Sequence, residues 1–206
     1  MVEMVRSKPR GFRVPLLTIQ EIRNLARTVC GILLLHAGCR SLKEMNWEEF
    51  IERTLPQKLQ IEVDFIDDQD KTLAPGAPAG IMGNVLKLRD TCYRGICYGN
   101  RRDVFTLFHE LGHYFLGHTR VFARAQVEEH SWDEDSETQA NRFAAECLMP
   151  LDQITKYRLY TPDLIVRHFG NVSMDAARVR IKSLVRERAH MKKASQSCNF
   201  VTLCER

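Results

Sequence analysis

The stretch FTLFHELGHYFLGH, residues 105–118, places three histidines and one glutamate in an otherwise largely apolar run. Burying such side chains without partners costs several kcal/mol, so a fold that accepts this segment must answer them with hydrogen bonds, charges or a metal. In an α-helix four residues advance roughly 400°, which stacks His109 and His113 on one face. Glu110 then lies about 100° around the same turn. Neutral imidazoles at this spacing suit Zn²⁺, which acidifies a bound water while the adjacent glutamate, Glu110, takes its proton. The competing reading is a pair of hydrogen-bonded core histidines.

A catalytic zinc needs a third protein group and an open position. His118 follows His113 by five residues, and on a continuing helix it points about 180° away from His109; it is read as a helix-end histidine that caps carbonyls. The better candidate lies in EDSETQANRFAAECLMP, where Glu137, Ala140, Asn141, Ala144, Ala145 and Leu148 share one face of a helix. Its small residues allow close approach to the histidine helix, and Glu137 in the first turn is free to project toward a metal. Asp133, Glu134 and Asp135 are rivals for that role. Asn141 is a candidate partner for a metal-binding side chain, and Tyr93, Tyr98, His130 and Arg142 are candidate donors to an oxyanion.

The rest of the sequence sets the frame. Thr18 and Glu21 form a capping-box pattern that opens a helix over 18–37, ended by Gly38. A shorter helix follows Asn46. LQIEVDFI (59–66) alternates as a half-buried strand, and GNVLKLR and RGICYG read as two more strands that pair in a hairpin. On that reading Cys92 and Cys97 are hairpin neighbours, and residues 93–98 offer a sheet edge for an extended substrate. Helices are expected over 103–116 and 136–148, the second stopped by Pro150, and two more flank the turn at Gly170 and Asn171. The fold class is therefore α+β: a small, mostly antiparallel sheet packed on helices, with a first domain over 1–155 that carries the histidine helix, a C-terminal helical segment over 156–190 and a flexible tail over 191–206.

With these motifs in view, FTLFHELGHYFLGH and ETQANRFAAECLMP together resemble the ImmA/IrrE family of bacterial and phage metallopeptidases. The family's histidine helix reads FTxxHELGH, and its later helix reads ExxANxFAxxLLMP. The resemblance implies a small zincin-like (gluzincin-type) core, with His109, His113 and Glu137 holding zinc and Glu110 as general base. Phe108 stands where alanine is common and Cys147 where leucine is; neither removes a reactive group. It further implies a protein substrate, a helix-turn-helix repressor encoded nearby whose cleavage derepresses genes of a mobile element or stress response.

Charge and cysteine content bear on location and on rival functions. Seven cysteines without a CxxC pair, in a sequence whose basic first fifteen residues lack the apolar run of a secretory signal, lead to an expectation of reduced thiols and a cytoplasmic protein. VCGILLLHAG (29–38) is too short to span a bilayer, so no membrane role is expected. Against a net charge of +4, the block RVRIKSLVRERAHMKK is strongly basic. It raises the rival of a DNA-binding regulator, with Arg178, Arg180, Lys182 and Arg186 on phosphates. A zinc-bearing toxin or docking module is the third reading. Manganese or iron also suit two histidines and a carboxylate.

Overall fold

The computed structural model describes residues 9, 11–118 and 129–204, with side chains to residue 189. The tail expected over 191–206 lies outside the residues whose side chains are described. Helix α1 (Ile19–His36) starts at Thr18, whose hydroxyl accepts from the Glu21 amide while Glu21 bonds back to the Thr18 amide. Its buried stripe, Ile22, Ala26, Val29 and Leu33, recurs at helical spacing. Gly38, at φ +67°, carries the chain out of the helix. After a 3₁₀ turn at Leu42–Glu44, α2 (Trp47–Glu49), capped by Asn46, runs through a π turn at Phe50–Thr54 into α3 (Leu55–Leu59). Trp47, Phe50, Ile51 and Leu55 from this stretch enter the core.

Three strands follow: β1 (Glu62–Ile66), β2 (Ala79–Met82) and β3 (Val85–Arg89). The sheet order is β1-β3-β2, with β3 parallel to β1 and antiparallel to β2. The sheet is thus mixed rather than mostly antiparallel. From β1 the chain crosses to the far edge and returns by a tight hairpin at Gly83, which forces β3 to run alongside β1. Arg89 holds the crossing loop: its guanidinium donates to the carbonyls of Ala77 (2.7 Å), Asp67 (3.0 Å), Asp70 (3.0 Å) and Asp68. These bonds answer backbone oxygens that a loop tucked against the sheet would otherwise leave unpaired.

The segment RGICYG is no strand. It belongs to α4 (Asp90–Cys97), which begins directly after β3. Cys92 and Ile96, four apart, face the core, and that helical period outweighs the β-branched and aromatic composition that suggests a strand. The candidate hairpin is β2–β3 instead, and the two cysteines are free thiols on one helix. The exposed edges of the sheet are β1 and β2, so residues 93–98 offer none.

Helices α5 (Arg101–Phe115) and α6 (Ser136–Leu148) match the two expected helices closely. Then come α7 (Leu151–Lys156), α8 (Pro162–Phe169) and α9 (Met174–Cys204). One continuous core joins α1, the sheet, α4, α5 and α6. Among the described residues no helix is long and apolar enough to cross a membrane.

A buried ion cluster ties α9 to this core. Glu146 of α6 accepts from Arg23 of α1 at 3.0 Å and lies 2.7 Å from Arg180 of α9, an ion pair whose angle falls outside hydrogen-bonding geometry. Arg180 also donates to the Met149 carbonyl, and Arg23 grips both oxygens of Glu187 at 3.0 Å. Arg180 is therefore an internal side chain and not a phosphate contact, whereas Arg178 is exposed beside Asp175. Removing one member of such a cluster strands its partners' charges. Glu146→Ala should cost about 3–5 kcal/mol of folding stability, measured by urea unfolding against the parent protein.

Candidate metal centre

His109 and His113 project from one face of α5, and Glu137 reaches them from the first turn of α6. The Nε2 atoms of the two imidazoles are 3.1 Å apart. Glu137 Oε2 lies 3.3 Å from His109 Nε2, and Oε1 lies 3.3 Å from His113 Nε2. Two bare nitrogen lone pairs do not face each other at such a distance without a proton or cation between them. Donors around one tetrahedral zinc, each about 2.0–2.1 Å from it, stand about 3.3 Å apart. Two nitrogens 3.1 Å apart, with an oxygen of the Glu137 carboxylate 3.3 Å from each, match that spacing, so these three side chains could hold a metal ion.

The approach of the two helices makes the triangle possible. A side chain at Gly112 would have its Cβ 3.1 Å from the Ala140 carbonyl and 3.2 Å from Phe143, so glycine and alanine set the spacing of α5 and α6. Asp135 fixes the start of α6 by accepting from the Thr138 amide and hydroxyl, both at 2.8 Å. Its other carboxylate oxygen meets the Gly11 amide and His130.

The outward nitrogens are also engaged. His109 Nδ1 lies 3.2 Å from Asn141 Oδ1, one turn beyond Glu137. His113 Nδ1 lies 3.0 Å from Nδ1 of His118, whose Nε2 is 3.1 Å from Gln139 Oε1. His118 thus does not cap helix carbonyls. Helix α5 ends at Phe115, and Gly117, at φ +77°, turns the chain so that the buried His118 comes back against His113. The helical projection that sends it the opposite way fails because the helix has already stopped.

Charge follows from these contacts. The imidazoles of His109 and His113 beside it hold the Glu137 carboxyl well below the usual range. Burial works against a charged His109, but the carboxylates of Glu137 and Glu110 outweigh it and raise its pKa. Burial raises Glu110, a tendency that both histidines and the Ile81 backbone oppose. Burial pushes His118 down to about 4, against the bond to Gln139. Near neutral pH His118 is therefore an uncharged ring.

Other sequence candidates are engaged elsewhere. Asp133 pairs with Arg142 at 2.5 Å, and Glu134 with Arg13 at 2.9 Å. Asp135 is consumed by its cap, leaving Glu137 as the acid that meets both histidines. Tyr93 bonds Glu52 and packs on Phe65, His130 lies 3.1 Å from Asp135, and Tyr98 is 88% exposed. The pairing of His118 with Gln139 is absent from the sequence reading. Its one visible signal is Gly117, a residue able to reverse the chain just before a histidine.

Compared with known proteins, residues 97–182 match the peptidase family model described as the IrrE N-terminal-like domain. No curated protein and no solved structure matches the chain. The matched segment contains α5 and α6 and all three members of the triangle.

The close approach at Gly112 gives a test of the geometry. Gly112→Val should destabilise the fold by about 1–3 kcal/mol through overpacking and move Glu137 away from the imidazoles. Urea unfolding together with cobalt titration should show both losses.

Proposed function

We propose that this chain, whose residues 97–182 match the IrrE N-terminal-like peptidase domain, is a zinc-dependent endopeptidase of the ImmA/IrrE family whose substrate is a helix-turn-helix repressor. The observation that carries this reading is the convergence of His109, His113 and Glu137 within 3.3 Å of one another, with Glu110 next to His109 on the same helix. These three side chains would hold the metal, and two nitrogens with one carboxylate oxygen suit zinc. Zinc, when bound, supplies a Lewis acid that polarises a peptide carbonyl and acidifies water.

The chain's own groups would do the remaining work. Glu110, less acidic than an ordinary carboxyl because it is partly withdrawn from water, accepts a proton from the attacking water and later delivers it to the departing amine. Asn141, through its contact with His109 Nδ1, holds that imidazole with its other nitrogen toward the metal. Strand β2 is an edge strand, and the Ile81 backbone lies beside Glu110. A substrate in extended conformation could add to that edge by main-chain hydrogen bonds, bringing its peptide bond over Glu110. A folded repressor would have to expose such a strand-like segment, which makes a loop or linker between its domains the expected point of cleavage.

Glu110→Gln separates binding from chemistry. The variant should retain stoichiometric zinc, measured by metal analysis, while its cleavage of the repressor from the neighbouring gene falls by about 10²-fold or more. Undiminished cleavage would remove Glu110 from the proposed role. A stable complex without fragments from the parent protein would favour docking over proteolysis.

A further inference from the structure

We infer that His118 and Gln139 are positioning residues which fix the protonation pattern of His113, so that its Nε2 carries a lone pair toward the metal. The inference rests on the reading of His113 as a metal-binding side chain. It starts at the far end of the relay, where the assignment leaves no choice. Gln139 Nε2 lies 2.9 Å from the Pro15 carbonyl and 2.7 Å from the Asp133 carbonyl. Both are acceptors only, so the amide nitrogen with its two hydrogens must face them. The amide oxygen is thereby turned to His118.

An amide oxygen can only accept, and it sits 3.1 Å from His118 Nε2. That nitrogen therefore carries a hydrogen, and since two N–H groups cannot point at each other, one of the facing Nδ1 atoms must accept; with His113 Nε2 turned to the metal, that acceptor is His118 Nδ1. The acceptor faces His113 Nδ1 at 3.0 Å, so His113 donates from Nδ1 and keeps the lone pair on Nε2. Two backbone carbonyls, one in the segment before α1 and one just before α6, thus set the form of a ring three hydrogen bonds away. Phe12 packs edge-on against His118 with ring centroids 6.2 Å apart and limits its rotation. His118 reaches no metal position itself: its two ring nitrogens are both occupied by protein partners.

Histidine labelled with ¹⁵N tests the relay directly. Long-range ¹H–¹⁵N spectra of the parent protein, with and without zinc, should show His118 as the single Nε2–H tautomer. With zinc bound, His113 should keep its hydrogen on Nδ1. His118 with its hydrogen on Nδ1 would overturn the inference without any variant being made. Gln139→Leu leaves the His118 ring in place but removes its anchor, so His118 should populate both tautomers. Its zinc affinity, read by chelator competition, should fall about 10–100-fold.

His118→Phe should lose affinity to a similar extent, and His118→Gln, whose amide oxygen can accept from His113, should recover most of it. Circular dichroism identifies variants that remain folded. Folded Gln139→Leu and His118→Phe proteins with parental zinc affinity would overturn the positioning role alone. A parent protein that takes up no zinc would overturn the ligand reading, and with it this role.

Discussion

The spacing between α5 and α6 is the constraint on which the site depends. Gly112 lies against Ala140 and Phe143, where even a methyl group would crowd the partner helix. This spacing brings a carboxylate from one helix within 3.3 Å of two imidazoles on the other. The same approach places Asn141 and Gln139, two residues apart on α6, beside the outward nitrogens of the histidine system. One helix thus supplies an acid to the inner face of the site and amides to its outer face. Longer side chains at the contact would fill more volume but move those groups beyond hydrogen-bond reach.

Much of this was legible in residue order because it depends on local periodicity. The HELGH pair, the small-residue face of α6 and the capping residues Thr18 and Asn46 all act over one or two turns. The sheet was less legible, since β1 and β3 pair in parallel across a long connection that leaves no local mark. RGICYG misled because a six-residue apolar-rich run has too few positions to separate a period of two from one of 3.6. Burial of Cys92 and Ile96 on one face decides for helix only once α5 is in place.

His118 illustrates a different limit. Extending α5 by arithmetic sends this residue away from His109, yet a single positive-φ glycine reverses the path within two residues. Besides His113, its partners come from distant positions in both directions: Phe12, and Gln139 at a separation of 21. The segment before α1, which reads as a basic and featureless lead, pairs with the start of α6. The Phe12 amide donates to Ser136 Oγ, the Ser136 amide returns to the Phe12 carbonyl, and Val14 donates to the Glu134 carbonyl. No periodic pattern announces such a strap, because its bonds run through backbone groups common to nearly every residue.

The strap also changes how the burial of polar groups balances. Gln139 and His118 are both nearly solvent-free, and each would be costly if unpaired. Hydrogen bonds from His113 to His118, from His118 to Gln139 and from Gln139 to two carbonyls turn that cost into direction, since every donor has one acceptor and reversal would oppose two lone pairs. The outer faces of the two histidines are served differently: His109 meets the Asn141 amide in a part-exposed position, whereas His113 leans on the buried relay. On its outer side His109 is held by that one contact. His113 cannot move without disturbing the strap, α6 and the end of α5 together, which makes it the fixed point against which the other two members of the triangle are set.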